Sequence, residues 1–218
     1  DFHYVVITNH PEFKDIRGFK LRNWRQNIIY SYRICLSKAD LSSISSSKRG
    51  WVKKARKNLI TTEEIKDVKS IYDIINDSYV RQNLKCPFTL FELEGIQKRM
   101  GNNMVILAAK EQEHGRYTAV YVTLIDDKKD YVYSMFNGHV AEFADTGSNS
   151  LLLWEAIEYF KDRGYKYFDI GEALMSSKAS FKSEFSSDII TYYQVSKSTF
   201  LFSIVWRLTR NRIVQVQW

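Results

Sequence analysis

The stretch ASFKSEFSSD, residues 179–188, sets Phe181 and Phe185 four apart around Lys182 and Glu184, directly after the glycine-punctuated run FDIGEALMSSK. Two readings fit such a lysine. It is the solvated side of a helical turn, or it is a cation held in a cleft between aromatic walls, where a low dielectric makes its charge count. Just upstream, Asp169 and Glu172 flank Gly171. Two carboxylates so close suit acid/base work, and the Asp-x-Gly run equally suits a turn in which the aspartate caps backbone N–H groups. A third cluster, SKRGWVKKARKN (47–58), gathers Lys48, Arg49, Lys53, Lys54, Arg56 and Lys57 around Trp51. It is either a phosphate-facing patch or the solvated face of a packed helix. The four histidines, His3, His10, His114 and His139, show no metal or triad spacing, and Cys35 and Cys86 stand far apart without a CxxC. No structural metal and no disulfide framework is expected.

These residues need a scaffold, and 218 residues with 44% hydrophobic content are enough for one sizeable domain with a core of its own. The formal net charge of +7 favours an anionic partner: phosphate, nucleic acid or a lipid surface. No apolar run reaches the roughly 18–20 residues that span a bilayer, and the start lacks a basic-then-apolar signal pattern. A cytoplasmic, reducing location is the expectation.

Elements follow from periodicity. NIIYSYRICLS (27–37) has the β-branched and aromatic content of a strand, leading into a short helix over 47–58 capped by Ser45, Ser46 or Ser47. TTEEIKDVKSIYDIINDSYVRQ opens with Thr62 as a cap and repeats Ile65, Val68, Ile71, Tyr72, Ile75 and Tyr79 at three and four, which predicts a helix. Pro87 breaks the chain before a second helix, TLFELEGIQKRMG, ending at Gly101. The period then changes: NMVILAAKE, RYTAVYVTLID and DYVYSMFNG read as three consecutive strands of an antiparallel meander. A helix over SNSLLLWEAIEYFKDRG follows, capped by Ser148 or Asn149 and stopped by Gly164; then a short strand YKYFDIG, a helical turn SFKSEF and a last strand DIITYYQVS. The order predicts one mixed α/β domain.

That order resembles the acyltransferase fold of the GNAT superfamily, a central, largely antiparallel mixed sheet flanked by helices. Three patterns sharpen the match: YSYRICLS…KRGWVKKARKN, YVRQNLKCPFTLFELEGI and, above all, SNSLLLWEAIEYFKDRGYKYFDIGEALMSSKASFKSEF. Together they resemble the FemABX family, the peptidoglycan cross-bridge aminoacyltransferases and their FemAB-like, methicillin-resistance-type relatives. The resemblance runs over residues 10 to 197. It implies transfer of an amino acid from aminoacyl-tRNA to an amine of a cell-wall or envelope precursor, and a tandem arrangement in which this chain is the second GNAT-like domain. On that basis residues 1–27 lead in from a preceding domain, 28–197 form the acyltransferase domain and 198–218 form a C-terminal helix or tail. It also places Phe181 and Lys182 at the catalytic site: the lysine would stabilise charge on the acyl oxygen or hold the donor's acyl end, and the phenylalanine would wall the cleft.

The donor is read from the loop before the 148–164 helix. Acyl-CoA members of the superfamily cradle pyrophosphate on a Gln/Arg-x-x-Gly-x-Gly/Ala loop at a helix N-terminus. Here ADTGSNS supplies Gly147, Ser148 and Asn149 as donor-binding candidates, but Ala144 and Asn149 depart from the pattern and Asp145 adds a negative charge. Aminoacyl-tRNA is therefore the expected co-substrate, with acyl-CoA as the alternative, no tightly bound cofactor, and Lys48, Arg49, Lys53, Lys54 and Lys57 as candidate RNA or phosphate contacts. Two other functions stay open: an acyl-CoA-dependent N-acetyltransferase on a small amine, and a non-catalytic module binding nucleic acid or another anionic polymer. In the tail, Phe200, Leu201, Ile204, Val205 and Leu208 share a helical stripe beside Arg207, Arg210 and Arg212. It is a packing helix or a peripheral membrane-surface contact.

Overall fold

The computed structural model describes residues 3–172, 176–200 and 202. In chain order the elements are β1 (Tyr4–Thr8), α1 (Arg17–Leu21), β2 (Arg25–Cys35), α2 (Ser46–Lys57), β3 (Ile60–Ile65), α3 (Lys69–Val80), α4 (Leu90–Met100), β4 (Met104–Glu111), β5 (Tyr117–Ile125), β6 (Tyr131–His139), α5 (Ser148–Asp162), β7 (Tyr167–Glu172), α6 (Ser176–Ser183) and β8 (Asp188–Ser198). The mixed α/β class and the meander β4–β5–β6 are as expected.

Two compact units divide these elements. One contains residues 1–31 and 189–218, the other residues 32–188, and β2 runs through both. In the first unit the strand order is β1-β8-β2, with β1 antiparallel to β8 from Tyr4↔Ser198 to Thr8↔Gln194. Of the apolar stripe of the tail, only Phe200 falls within the described residues.

The second unit is a sheet ordered β2-β7-β6-β5-β4-β3 with helices on both faces. The reason is written in β4: MVILAAKE is apolar at almost every position, as a strand covered on both faces must be. Val105, Leu107 and Ala109 face one core with α2 and α5; Met104, Ile106 and Ala108 face another with α3 and α4. Neighbouring strands from β3 to β6 are antiparallel, and β6 and β7 are parallel, joined across α5.

Local chemistry sets the helix ends. Thr89 and Glu92 form a reciprocal capping box at the start of α4, and Ser45 caps α2 by accepting from the Lys48 N–H at 3.1 Å. The predicted helix from Thr62 is corrected. Residues Ile60–Ile65 are strand β3, paired from Ile60↔Glu111 to Ile65↔Ile106, and α3 begins at Lys69, whose N–H donates to the Asp67 carboxylate at 2.9 Å. The three-and-four spacing through Ile65 and Val68 is genuine, but β4 offers an open edge, and Ile60, Thr61 and Thr62 are β-branched residues that fit it.

Candidate active site

A cleft of about 560 Å³ opens where β6 and β7 part. The two strands share only the rungs Tyr131↔Tyr167, Val132↔Phe168 and Tyr133↔Asp169. At the same level β6 carries a bulge: Val122 of β5 faces Phe136 and Thr123 faces Ser134, leaving Met135 unmatched. An extra residue in one strand bends it and increases its twist. Beyond the parting, Ser134–His139 of β6 form one wall and Ile170–Glu172 of β7 the other, with Tyr121 of β5 and Asn149 and Leu153 of α5 between them. Phe181 and Lys182 of α6 close one end, and Ser78, Arg81, Gln82 and Leu84, from α3 and the turn after it, close the other.

Lys182 is only 9% exposed. Its ammonium donates to the carbonyls of Gly171 at 2.9 Å and Glu172 at 2.8 Å. Burial pushes its pKa down to about 8; Asp169 opposes that shift, the like charge of Lys178 adds to it, and Glu172 opposes it. Gly171 has φ +85°, and a Cβ there would stand 3.4 Å from the ammonium, so the glycine provides both the left-handed turn and the room. The Gly171 N–H donates to the Asp169 carboxylate at 2.8 Å. Asp169, 5% exposed, thus takes the turn-capping position open to it in the sequence. Glu172 lies on the rim, where burial pushes its carboxyl up and Lys182 opposes the shift.

The opposite end holds residues that no sequence motif indicates. Ser78 Oγ accepts from the His139 N–H at 3.0 Å and from Arg81 Nη2 at 3.0 Å. Arg81 also donates to the His139 carbonyl, and its Nη1 stands 3.5 Å from His139 Nε2. Burial, then the Arg81 cation, hold the imidazole pKa below its usual value. Gln82 Nε2 donates to the Ser78 carbonyl at 2.5 Å, while its buried Oε1 has no partner among the described residues. Between the two ends, burial pushes the Tyr121 phenol up to about 12, with Ser134 and Asn137 as side-chain hydrogen-bond partners. A proton-bearing hydroxyl is therefore built into the cleft.

The donor loop is only partly in this cleft. A Cβ on Gly147, φ +86°, would lie 2.3 Å from the Trp51 carbonyl oxygen, so this glycine exists to let α5 touch α2. Ser148 is 1% exposed and packed inside. Asn149 alone of the three lines the cleft. The basic helix is also divided. Lys48 is 8% exposed and paired with Glu184 at 3.4 Å, so it is not available to a phosphate. Arg49 Nη1 donates to the carbonyls of Ser42 at 3.0 Å and Ile44 at 2.5 Å. Lys53, Lys54 and Lys57 remain on the surface.

Among the described residues one trio of metal-ligand types, Glu111, Glu113 and His114, lies within mutual reach. The Glu111 carboxylate already accepts from the backbone N–H groups of His114 at 2.9 Å and Arg116 at 3.0 Å, which makes it the clasp of the β4–β5 turn. No described helix is long and apolar enough to cross a membrane.

Comparison with known proteins agrees with this fold. FemX matches with a TM-score of 0.72 at 11% identity, covering 94% of this chain and 74% of FemX. L-PGS from Bacillus licheniformis matches with a TM-score of 0.66 at 13% identity, covering 91% of this chain and 69% of its own. The C-terminal domain of a protein from Agrobacterium fabrum described as a lysylphosphatidylglycerol synthetase gives 0.66 at 15%, covering 89% and 69%. At such identities the likeness is one of fold. No curated protein sequence matches at a significant level. The acetyltransferase (GNAT) domain family, whose members use acyl-CoA as co-substrate, matches residues 46–183, the segment that contains every wall of the cleft. With well over half of its length matched, the chain belongs to the GNAT acetyltransferase domain family.

Proposed function

We propose that this GNAT domain forms an amide bond by moving an aminoacyl group from aminoacyl-tRNA to an amine of a cell-wall or envelope precursor in the cytoplasm. The observation that carries the reading is the Lys182 ammonium, buried where β6 and β7 part and flanked by Phe181. When an amine attacks an ester, negative charge gathers on the acyl oxygen, and a fixed cation in a water-poor site stabilises that charge far more than it would in bulk water. Two of its three N–H groups are bound to carbonyls, which leaves one for the acyl oxygen. Glu172, on the rim of the cleft with its carboxyl pushed up by burial, would take the proton that the attacking amine must lose.

For the donor, Gly147 at the start of α5 packs against the Trp51 carbonyl, and exposed Asp145 repels a pyrophosphate. Asn58 Nδ2 of the turn after α2 donates to the Thr146 carbonyl at 3.4 Å, so the C-terminal end of α2, which carries Lys54 and Lys57, is tied beside the start of α5. This suits a phosphate backbone lying along α2 better than a diphosphate in a loop. A preceding GNAT-like domain and a peripheral membrane contact belong to the same reading. Family membership favours a second one, an N-acetyltransferase using acyl-CoA on a small amine.

Thermal shift separates them, because a ligand stabilises only by binding the folded state. Acetyl-CoA is expected to leave the melting temperature unchanged, while a short RNA hairpin carrying a stable aminoacyl amide at its 3′ end raises it saturably. A saturable shift with micromolar acetyl-CoA and none with the hairpin would replace the first reading by the second. Equal shifts with charged and uncharged hairpins would leave only an RNA-binding module.

A further inference from the structure

The first turn of α2 is the wrong place for a buried cation. A helix N-terminus carries partial positive charge, and α2 has no acidic residue in its first turn to offset it. Lys48 nevertheless sits there with its side chain 10% exposed. A residue that breaks two local rules at once calls for a compensating structure.

The compensation comes from outside the helix. Glu184, the residue after α6, places Oε1 3.4 Å from the Lys48 ammonium and accepts from the Ser45 hydroxyl on Oε2 at 2.8 Å. Its backbone carbonyl accepts from the Ser45 N–H at 2.9 Å. The same ammonium stands 4.4 Å from the centre of the Phe181 ring, which in turn packs on Phe185 at 5.2 Å. One face of that ring is thus held by α2, while Phe181 lines the cleft beside Lys182.

We propose that Lys48, Ser45 and Glu184 are positioning residues, a clamp between α2 and the end of α6 that fixes the Phe181 ring and, through it, the place of the Lys182 ammonium in the cleft. The clamp rests on the acyl-transfer reading for what Phe181 and Lys182 accomplish, and not for how they are held. It gives the basic run a second purpose: Lys53, Lys54 and Lys57 face solvent, whereas Lys48, five residues earlier, ties the same helix to the site. The charged groups that act on Lys182 are Asp169 and Glu172 of β7 and Lys178 of α6 itself. Lys48 is not among them, so losing it changes the surroundings of Lys182 only by letting α6 move.

The test needs neither donor nor acceptor. Trace labelling of the whole chain with acetic anhydride over the lysine titration range, read peptide by peptide by mass spectrometry, gives the midpoint of each lysine. In Lys48→Met and in Glu184→Gln, the Lys182 midpoint is expected to rise by about one unit or more toward the ordinary lysine value, as its ammonium returns to water. In Lys48→Arg, which keeps a cation over the ring, it should stay with the parent, and Lys53 should not move in any variant. Glu184 is partly exposed, so Glu184→Gln carries the test if Lys48→Met does not fold. A folded variant of either kind with Lys182 titrating as in the parent would overturn the clamp. So would a rise matched at Lys53, which would mean general loosening. A chain that shows the expected shift but transfers no acyl group to any acceptor would keep the clamp and refute the proposed function.

Discussion

Two cavities of nearly equal size lie in the second unit, and they differ in everything but volume. One, about 530 Å³, runs along the outer side of α5 beside β3 and the 39–41 turn; the other is the cleft of about 560 Å³. The first is rich in charge: Glu63, Glu64, Glu155, Glu158 and Asp162 line it with Lys161 and Arg163. Several of these groups are already engaged by neighbours. Tyr159 donates to Glu64 at 2.5 Å, Arg56 pairs with Glu155 at 2.8 Å, Lys161 donates to the Ala39 carbonyl at 2.5 Å, and Arg163 lies 3.4 Å over the Tyr159 ring. In the cleft, a cation is withdrawn from water and held on backbone carbonyls where two parallel strands separate. Charge density alone is therefore a poor guide to chemistry, and a desolvated charge at a strand parting is a better one.

The sharpest way to break this contrast is to neutralise one charge in each cavity. Lys182→Met should lower kcat on the order of 10²-fold or more while the protein stays folded. Glu158→Gln, in the other cavity, should leave kcat unchanged; equal effects would end the distinction. The same lysine gives a pH signature. Its folded pKa of about 8 lies below the ordinary lysine value of 10.5, so the folded state binds fewer protons between those limits. The penalty of burying the charge is then present in full below pH 8, and stability rises from about pH 8 to 10.5, by an amount on the order of 3 kcal/mol. Cation-dependent turnover should fall over the same range. Lys182→Met should flatten the stability rise in melts recorded across that window.

A smaller effect sharpens the contrast in the scaffold. Gly147→Ala would force a Cβ against the Trp51 carbonyl at a left-handed φ, at a cost on the order of 3 kcal/mol in denaturant unfolding. Gly164→Ala has the same strain, φ +82°, but open space, so about 1 kcal/mol is expected. If the two cost the same, the close approach of α5 to α2 carries no weight. Smallest in stability is the exposed face of α2. Changing Lys53, Lys54 and Lys57 to Gln should stay within about 0.5 kcal/mol of the parent, and should reduce the log-log salt slope of RNA binding by about one unit per lost phosphate contact. An unchanged slope would assign the three lysines to solvated surface.

What could be read in advance followed the range of the forces involved. Helix α4 needs only its own run between Pro87 and Gly101, and the meander needs only the change of period after Gly101, so both were legible in the sequence. Strand β3 was not, because Ile60–Ile65 carries a pattern that either element can use and the edge of β4 decides between them. The site divides in the same way. Phe181 and Lys182 stand out by type and spacing. Lys48 looked like its neighbours in the basic run, and only the approach of Glu184 separates it from Lys53. His139 and Gln82 could not be found by motif, since what brings them together is the contact of Ser78 on α3 with the end of β6.

The two carbonyls that hold Lys182 belong to Gly171 and Glu172, past the last rung that β7 shares with β6. A strand that outruns its neighbour offers free backbone groups to any extended segment that comes by, and natural sheets guard such edges with charge. Here the guard is the ammonium itself. The lysine that is buried in the cleft also occupies the carbonyls at the open end of the ladder, so the two strands can stand apart without inviting a stray β-strand to zip into the gap.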